Sequence, residues 1–358
     1  VDVSHTNLPH DFFFNTDIGP MWSHDIAIGD SEGDGDVDIF ISVNRYTWDH
    51  KQVPFTMLIN DGTGNFITNQ NFPLIPEPHT VGLDHGKRLW ATTAAIGDFD
   101  NDGHGDVSVG WFNPGWAREY GFGETFENSA GAVFFNDGNN DWRNRPWLEL
   151  PDNFYGENGN ANSMAVIDFD NDGHLDILLS THSTNENKTG LRLFHNNGLE
   201  IFSDASHLIP GLPRKSKQLW ISDHDNDGDL DIFFTDSEGK VNVLRNDGGN
   251  VNNFLKISLI GLRAGSSKNN YFGLGAKLEV KAGELYQSCY VDQPIAHFGL
   301  GDRDSADVVR IVWSNGVPQN HFKPEMNQTI VETQVIKLSL IHISEPTRLM
   351  SMSDAVFC

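Results

Sequence analysis

Asp98-Phe99-Asp100-Asn101-Asp102-Gly103-His104-Gly105-Asp106 decides how the rest of the chain is read. Carboxylates stand at positions 1, 3, 5 and 9, and glycine at position 6. That is how a chain wraps a hard cation in oxygen ligands. The glycine allows the sharp turn that aims successive carboxylates inward. Position 7, His104, offers its backbone carbonyl and not its imidazole. The pattern recurs at Asp168, Asp170, Asp172, His174 and Asp176, and again at Asp223, Asp225, Asp227, Asp229 and Asp231. A variant copy has Asp30, Glu32, Asp34, Asp36 and Asp38. Ordinary polar turns need no carboxylates at fixed odd positions, so four copies point to four cation loops.

An EF-hand begins the same way, but it requires a bidentate Glu at position 12 and a helix on each side. Position 12 here is Ile41, Val109, Leu179 or Phe234, all apolar. Each loop runs directly into a short apolar segment such as Asp106-Val-Ser-Val or Asp176-Ile-Leu-Leu. Short runs rich in Ile, Val and Phe, bounded by turn residues, predict strands. The cation loop therefore joins strand to strand.

Working outward, residues 1–253 read as four repeats. Each has an apolar approach, the loop, a strand, a variable insert and a second strand ending in Asn-Asp-Gly or Asn-Asn-Gly, at Asn60, Asn136, Asn196 and Asn246. Such turns between apolar runs are the strongest short-range hairpin signal. A repeat of several short strands is what one propeller blade requires. Residues 254–335 lack the loops and alternate as the strands of a small sandwich do, for example Ala276-Lys-Leu-Glu-Val and Val308-Val-Arg-Ile-Val. The fold class is all-β: a four-bladed β-propeller segment followed by a small C-terminal β-sandwich-like domain.

The loop together with the Asn-Asp-Gly strand resembles the FG-GAP/VCBS repeats of the integrin α-subunit propeller. Gly273-Leu-Gly275, His297-Phe-Gly-Leu-Gly301, Trp313-Ser-Asn-Gly316 and Asn327-Gln328 resemble the ASPIC/UnbV domain, which commonly follows such repeats, as in the cartilage acidic protein family. The resemblance implies calcium in up to four loops, ligated through positions 1, 3, 5, 7 and 9. Loop 1 departs from the pattern at Glu32 and Gly33, and is expected to be the weakest site. Related propellers carry more blades, and four is the lower limit for closure. The repeats are therefore expected to be part of a larger propeller, an open arc with apolar side chains exposed at its N-terminal edge.

The chain has 358 residues, 50 acidic and 24 basic, for a formal charge of −26. That balance excludes nucleic acid, whose phosphates require a basic patch. No run approaches the length of a membrane span, and the two cysteines, Cys289 and Cys358, make no disulfide framework. Loops of this kind suit the millimolar calcium outside the cytosol, so the expected location is extracellular, cell-surface or periplasmic. No hydrolase elbow, phosphate loop or dinucleotide fingerprint occurs. The expected role is adhesion, recognition or scaffolding toward a protein or glycan, with calcium structural and no catalytic residue. The alternative is a secreted polysaccharide lyase or hydrolase built on a propeller. Trp111, Trp116, Tyr120, Phe122 and Phe126 form an aromatic cluster in the longest insert, either a sugar or protein patch or a loop covering its own blade. At the end, Leu338-Ser-Leu-Ile-His-Ile-Ser-Glu-Pro-Thr-Arg348 resembles the translation of a transposase adapter used for sequencing libraries. Residues 336–358 are expected to be a tail of that origin, a sequencing-adapter artefact.

Overall fold

The computed structural model describes residues 21–45, 55–73, 91–113, 129–151, 159–182, 190–209, 215–263 and 269–335. Among them there is no α-helix, only two single 3₁₀ turns, at Ser206–Leu208 and Gly249–Val251. Tail residues 336–358 lie outside the described residues.

Three four-stranded antiparallel meanders and one of three strands succeed one another along the chain, the second and third joined into one eight-stranded sheet where Phe112 pairs with Asn160. They are β1 (Met21–Gly29), β2 (Asp38–Arg45), β3 (Thr56–Asn60) and β4 (Phe66–Asn69); β5 (Ala91–Gly97), β6 (Asp106–Asn113), β7 (Ser129–Phe134) and β8 (Leu148–Pro151); β9 (Gly159–Ile167), β10 (Asp176–His182), β11 (Leu191–Asn196) and β12 (Phe202–Asp204); and β13 (Ser216–Ser222), β14 (Asp231–Asp236) and β15 (Val241–Leu244). Within each blade the first strand hands over to the second through one of the four Asp-rich loops. Position 9 is always the first residue of the second strand and pairs with the last residue of the first, as in Gly97↔Asp106 and Ser222↔Asp231.

The inner strands neighbour one another in the order β1, β5, β9, β13. Between successive blades the strand faces interlock. Phe40, Phe55, Met57, Phe72, Phe134 and Trp142 fill the first junction, where Phe72 and Trp142 stack at 4.4 Å. Phe99, Val133, Leu150, Ile177 and Phe194 fill the second, and Ile167, Leu178, Leu193, Leu219 and Phe234 the third. Alternation along a strand sends successive side chains to opposite faces. Ala27 thus enters the first junction, while Ile26 and Ile28 on the other face are 60% and 63% exposed. At the far end Trp220 and Val241 on blade 4 are also exposed. Among the described residues the arc is open, with an uncovered apolar face at each end. Trp111 is in the first core, stacked on Phe55 at 6.4 Å, so it is no part of a surface patch. The other aromatics of that cluster lie outside the described residues.

The chain then builds two further sheets. One orders β19 (Ile295–Gly301), β16 (Asn253–Ile260) and β22 (Gln328–Thr333), with β16 and β22 parallel. The other orders β18 (Leu285–Tyr290), β17 (Lys277–Ala282), β20 (Val308–Val312) and β21 (Pro318–Phe322). They close on one core that includes Leu255, Ile257, Leu278, Val280, Leu300, Ile311 and Trp313. This domain sits against the rim of the arc that carries the Asp-rich loops.

Candidate metal centres on the propeller rim

Each loop is shaped by its own backbone amides. In loop 2 the amides of Asp102 and Gly103 donate to the two oxygens of Asp98, each at 3.0 Å. In loop 3 the amides of Asp172 and Gly173 do the same to Asp168, also at 3.0 Å. This curl needs positive φ at position 6, where Gly103 has φ +96° and Gly173 +93°, a region that glycine enters without strain. Position 4 is left-handed too, and Asn101, Asn171 and Asn226 fill it at φ 60°, 58° and 62°. Asparagine tolerates that region better than other side-chain-bearing residues. The position 9 carboxylate closes the loop. One oxygen of Asp106 accepts the Phe99 amide at 2.9 Å and the other accepts the Asn136 amide at 2.8 Å. Asp38, Asp176 and Asp231 repeat both contacts.

Sequence reasoning missed what the asparagines do. The Asn196 side chain donates to the carbonyl of Phe99 in the preceding loop at 2.7 Å, and Asn246 donates to Phe169 O at 2.6 Å. Asn136 donates to Ser31 O. Each of these three Asn-x-Gly asparagines thus ties its own blade to the loop before it. Position 4 ties forward: Asn101 donates to Gly173 O at 3.2 Å and Asn171 to Gly228 O at 2.9 Å. The recurring asparagine at position 4 was the available signal.

The side chains at position 7 stay outside the carboxylate clusters. His104 packs on Gly138, His174 on Gly198 and Asp36 on Gly62, while Asp229 lies beside Gly249. The imidazole of His174 bonds Asn101 Oδ1 at 2.5 Å. Position 7 is left with its carbonyl to offer, as the loop pattern requires. Carboxylate oxygens do converge within 4.8 Å at Asp98, Asp100 and Asp106, at Asp168, Asp170 and Asp176, and at Asp223, Asp225 and Asp227. Asp170 and Asp172 also approach His195, and Asp225 and Asp231 approach His224. Among the described residues loop 1 forms no such cluster. Glu32 is turned away to accept the Asn140 side chain.

The electrostatics of these clusters favour a cation. Burial, then Asp102 and Asp100, push Asp98 up to about 8. Burial with neighbouring carboxylates pushes Asp106, Asp168 and Asp176 well above the usual range. Clustered carboxylates disfavour each other's ionisation, and a bound divalent ion inverts that relation. The buried Asp170 Oδ1 and Asp223 Oδ1 have no partner. Protein cations also reach the acidic loops: Arg145 lies 2.5 Å from Asp100, Arg245 3.6 Å from Asp225, and the buried Lys256 2.6 Å from Asp223. Loops 2, 3 and 4 therefore fit a hard divalent cation held by Asp98, Asp100, Asp102 and Asp106, by Asp168, Asp170, Asp172 and Asp176, and by Asp223, Asp225, Asp227 and Asp231.

The C-terminal domain meets every loop. A Cβ on Gly103 would lie 3.1 Å from Tyr286, one on Gly173 2.6 Å from Leu285, and one on Gly228 would strike Phe254. On loop 1, Tyr290 donates its hydroxyl to Asp30 at 2.9 Å. His297 bonds Asn171 Oδ1 at 2.6 Å, and burial lowers its pKa to about 4, so the ring is neutral there. The Gly301 amide donates to Asn171 O at 2.7 Å, which seats the His297–Gly301 motif on loop 3. A cavity of about 350 Å³ remains between the domain and the inner strands, walled by Ile28, Ile96, Val166 and Ile221 and floored by Gln287 and Tyr290.

Family comparisons agree with this architecture. The FG-GAP-like repeat model matches residues 123–179, and the ASPIC and UnbV model matches residues 265–336. The chain thus carries a stretch that matches an FG-GAP-like repeat and a C-terminal stretch that matches an ASPIC and UnbV domain, on an all-β fold. It is similar to cartilage acidic protein 1 of Mus musculus, 27% identical over 299 residues, which cover 79% of this chain and 42% of that protein. The Homo sapiens protein of the same name is 27% identical over 298 residues, covering 79% and 40%. The chain thus spans less than half the length of these curated relatives. Among solved structures, a Dos1 propeller aligns at 10% identity over 86% of this chain and 60% of that one, with a TM-score of 0.31. An exotype rhamnogalacturonan lyase, YesX, aligns at 12% over 85% and 65%, also at 0.31.

Proposed function

We propose that this chain is a calcium-stabilised recognition module that works outside the cytosol, at a cell surface or in a periplasm, and binds a protein or glycan. One observation supports the reading: in three successive blades the carboxylates of positions 1 and 3 converge with a third, from position 9 in loops 2 and 3 and from position 5 in loop 4. Calcium takes six to eight oxygens in flexible geometry, and in these loops it would supply charge neutralisation between the first and second strands. The residues do the rest. Positions 1 and 9 are held by amides, position 3 converges on position 1, and the asparagines tie each loop to its neighbour.

Recognition is preferred over catalysis because of where the perturbed acids lie. The carboxyls raised furthest, Asp98, Asp106, Asp168 and Asp176, are all loop residues bonded to backbone amides. A lyase or hydrolase needs its acid and base on a face that substrate can reach, and the rim at the inner strands is covered by the C-terminal domain. The test is a glycan and protein array screened with the immobilised chain, once in millimolar calcium and once after chelation. Binding in calcium that chelation abolishes is expected. Absence of any bound ligand in calcium, together with depolymerisation of an acidic polysaccharide, would contradict the reading and favour the enzyme.

A further inference from the structure

Loop 1 meets the C-terminal domain differently from the others. Lys277, on β17, is buried, and its ammonium lies 3.1 Å from Asp30 Oδ2 and 3.4 Å from Gly33 O. Tyr290 donates its hydroxyl to the same Asp30 oxygen at 2.9 Å. The Gly35 amide reaches Oδ2 as well, at 3.1 Å, while the Gly33 and Asp34 amides take Oδ1 at 2.7 and 3.2 Å. Five donors converge on one carboxylate, which has about four lone-pair sites. Nothing of Asp30 remains for an ion. Asp98 and Asp168 accept two amides each and keep free capacity. Asp223 is also paired with a buried lysine, Lys256, at 2.6 Å, but its Oδ1 is left buried and without a partner, and it still converges with Asp225 and Asp227.

We infer that Lys277, with Tyr290, is the built-in cation of loop 1: the ASPIC/UnbV domain closes this loop in place of a divalent ion, and the chain carries ions in loops 2, 3 and 4 only. A buried lysine requires an anion, and a loop of clustered carboxylates requires a cation. Here each supplies the other's need. The substitution fits the altered loop sequence. Glu32 is drawn off to Asn140, and the position 4 asparagine is replaced by Gly33, whose carbonyl faces the ammonium. Loop 1 is thus a lock between the first blade and the C-terminal domain. This inference rests on the calcium reading of the other loops.

Native mass spectrometry of the full chain in calcium counts the ions. Three are expected for the wild type, three for Asp30→Asn and two for Asp98→Asn. A fourth ion in the wild type that Asp30→Asn removes would overturn the inference. Should Asp30→Asn alone fail to fold, the Asp30→Asn/Lys277→Met pair, which removes both charges together, carries the same count. Melting of the two single variants and the pair gives their coupling. It is expected to be present after chelation and unchanged by calcium, and a coupling that vanishes in calcium would overturn the assignment. A wild type that binds no ion contradicts the calcium reading, while the coupling after chelation still decides the lysine lock.

Discussion

At the scale of single residues, the loop carboxyls tie stability to pH. In the ion-free chain Asp98, Asp106, Asp168 and Asp176 hold their protons more tightly when folded than when unfolded. Stability from such groups is fully present below the ordinary carboxyl value of 3.8 and is lost as pH rises, for Asp98 toward about 8. His297 works the other way. Its pKa is lowered to about 4, so folding loses stability as pH falls below its ordinary 6.5. Four carboxyls outweigh one imidazole. Protein stripped of calcium is therefore expected to melt higher at mildly acidic than at mildly alkaline pH, measured by scanning calorimetry. In excess calcium the order reverses, because the ligands must be ionised to bind. A stripped chain whose melting temperature climbs with pH across this range would refute the assignment. That these carboxylates stand in strand-to-strand loops was legible from spacing alone. The special place of Asp30 was not, because Lys277 lies 247 positions away and reads locally as one polar step of an alternating strand.

Among elements, the blade-to-blade ties are made by side chains that look like turn formers. Asn196 is fully buried and donates to Phe99 O and Leu175 O, while its own oxygen accepts the Gly198 amide. Removing it strands buried groups, which costs about 1–3 kcal/mol. Asn60 makes the same turn with the Gly62 and Gly64 amides, but its side chain donates to Val37 O, in its own blade. Asn196→Ala is expected to destabilise by about 2 kcal/mol more than Asn60→Ala in urea unfolding. Equal losses would show that the asparagine acts through the turn alone. Strand positions were readable because each blade is a local meander with its own hairpin chemistry. The tie was unreadable because Asn196 and Phe99 are 97 positions apart, and nothing local distinguishes a turn asparagine from one that also bridges.

Across the whole molecule, each blade packs mainly on its neighbours along the arc, and the C-terminal domain is the element that touches all four loops. The succession of short strands around four Asp-rich loops could be read from the repeats. How the domain sits on the rim could not, since its docking residues Phe254, Tyr286, Tyr290 and His297 belong to ordinary-looking strands. Truncation after Val335 is expected to leave the melting temperature unchanged, because the last described strand, Gln328–Thr333, is already paired with β16. A fall of several degrees would make the tail a packed element. On the proposed reading, ions in the rim loops hold the blades in shape. An ion at about tenfold over its dissociation constant adds roughly 1.4 kcal/mol per site, so three independent sites add about 4 kcal/mol, a large share of ordinary net stability. The most direct test is the melting curve of the full chain after chelation, after return of calcium, and after return of magnesium instead. Magnesium demands near-ideal octahedral geometry and gives up water reluctantly. Chelation should lower the melting temperature by several degrees, calcium should restore it, and magnesium should restore it far less. A curve that chelation leaves untouched, or that magnesium restores as well as calcium, would contradict the account.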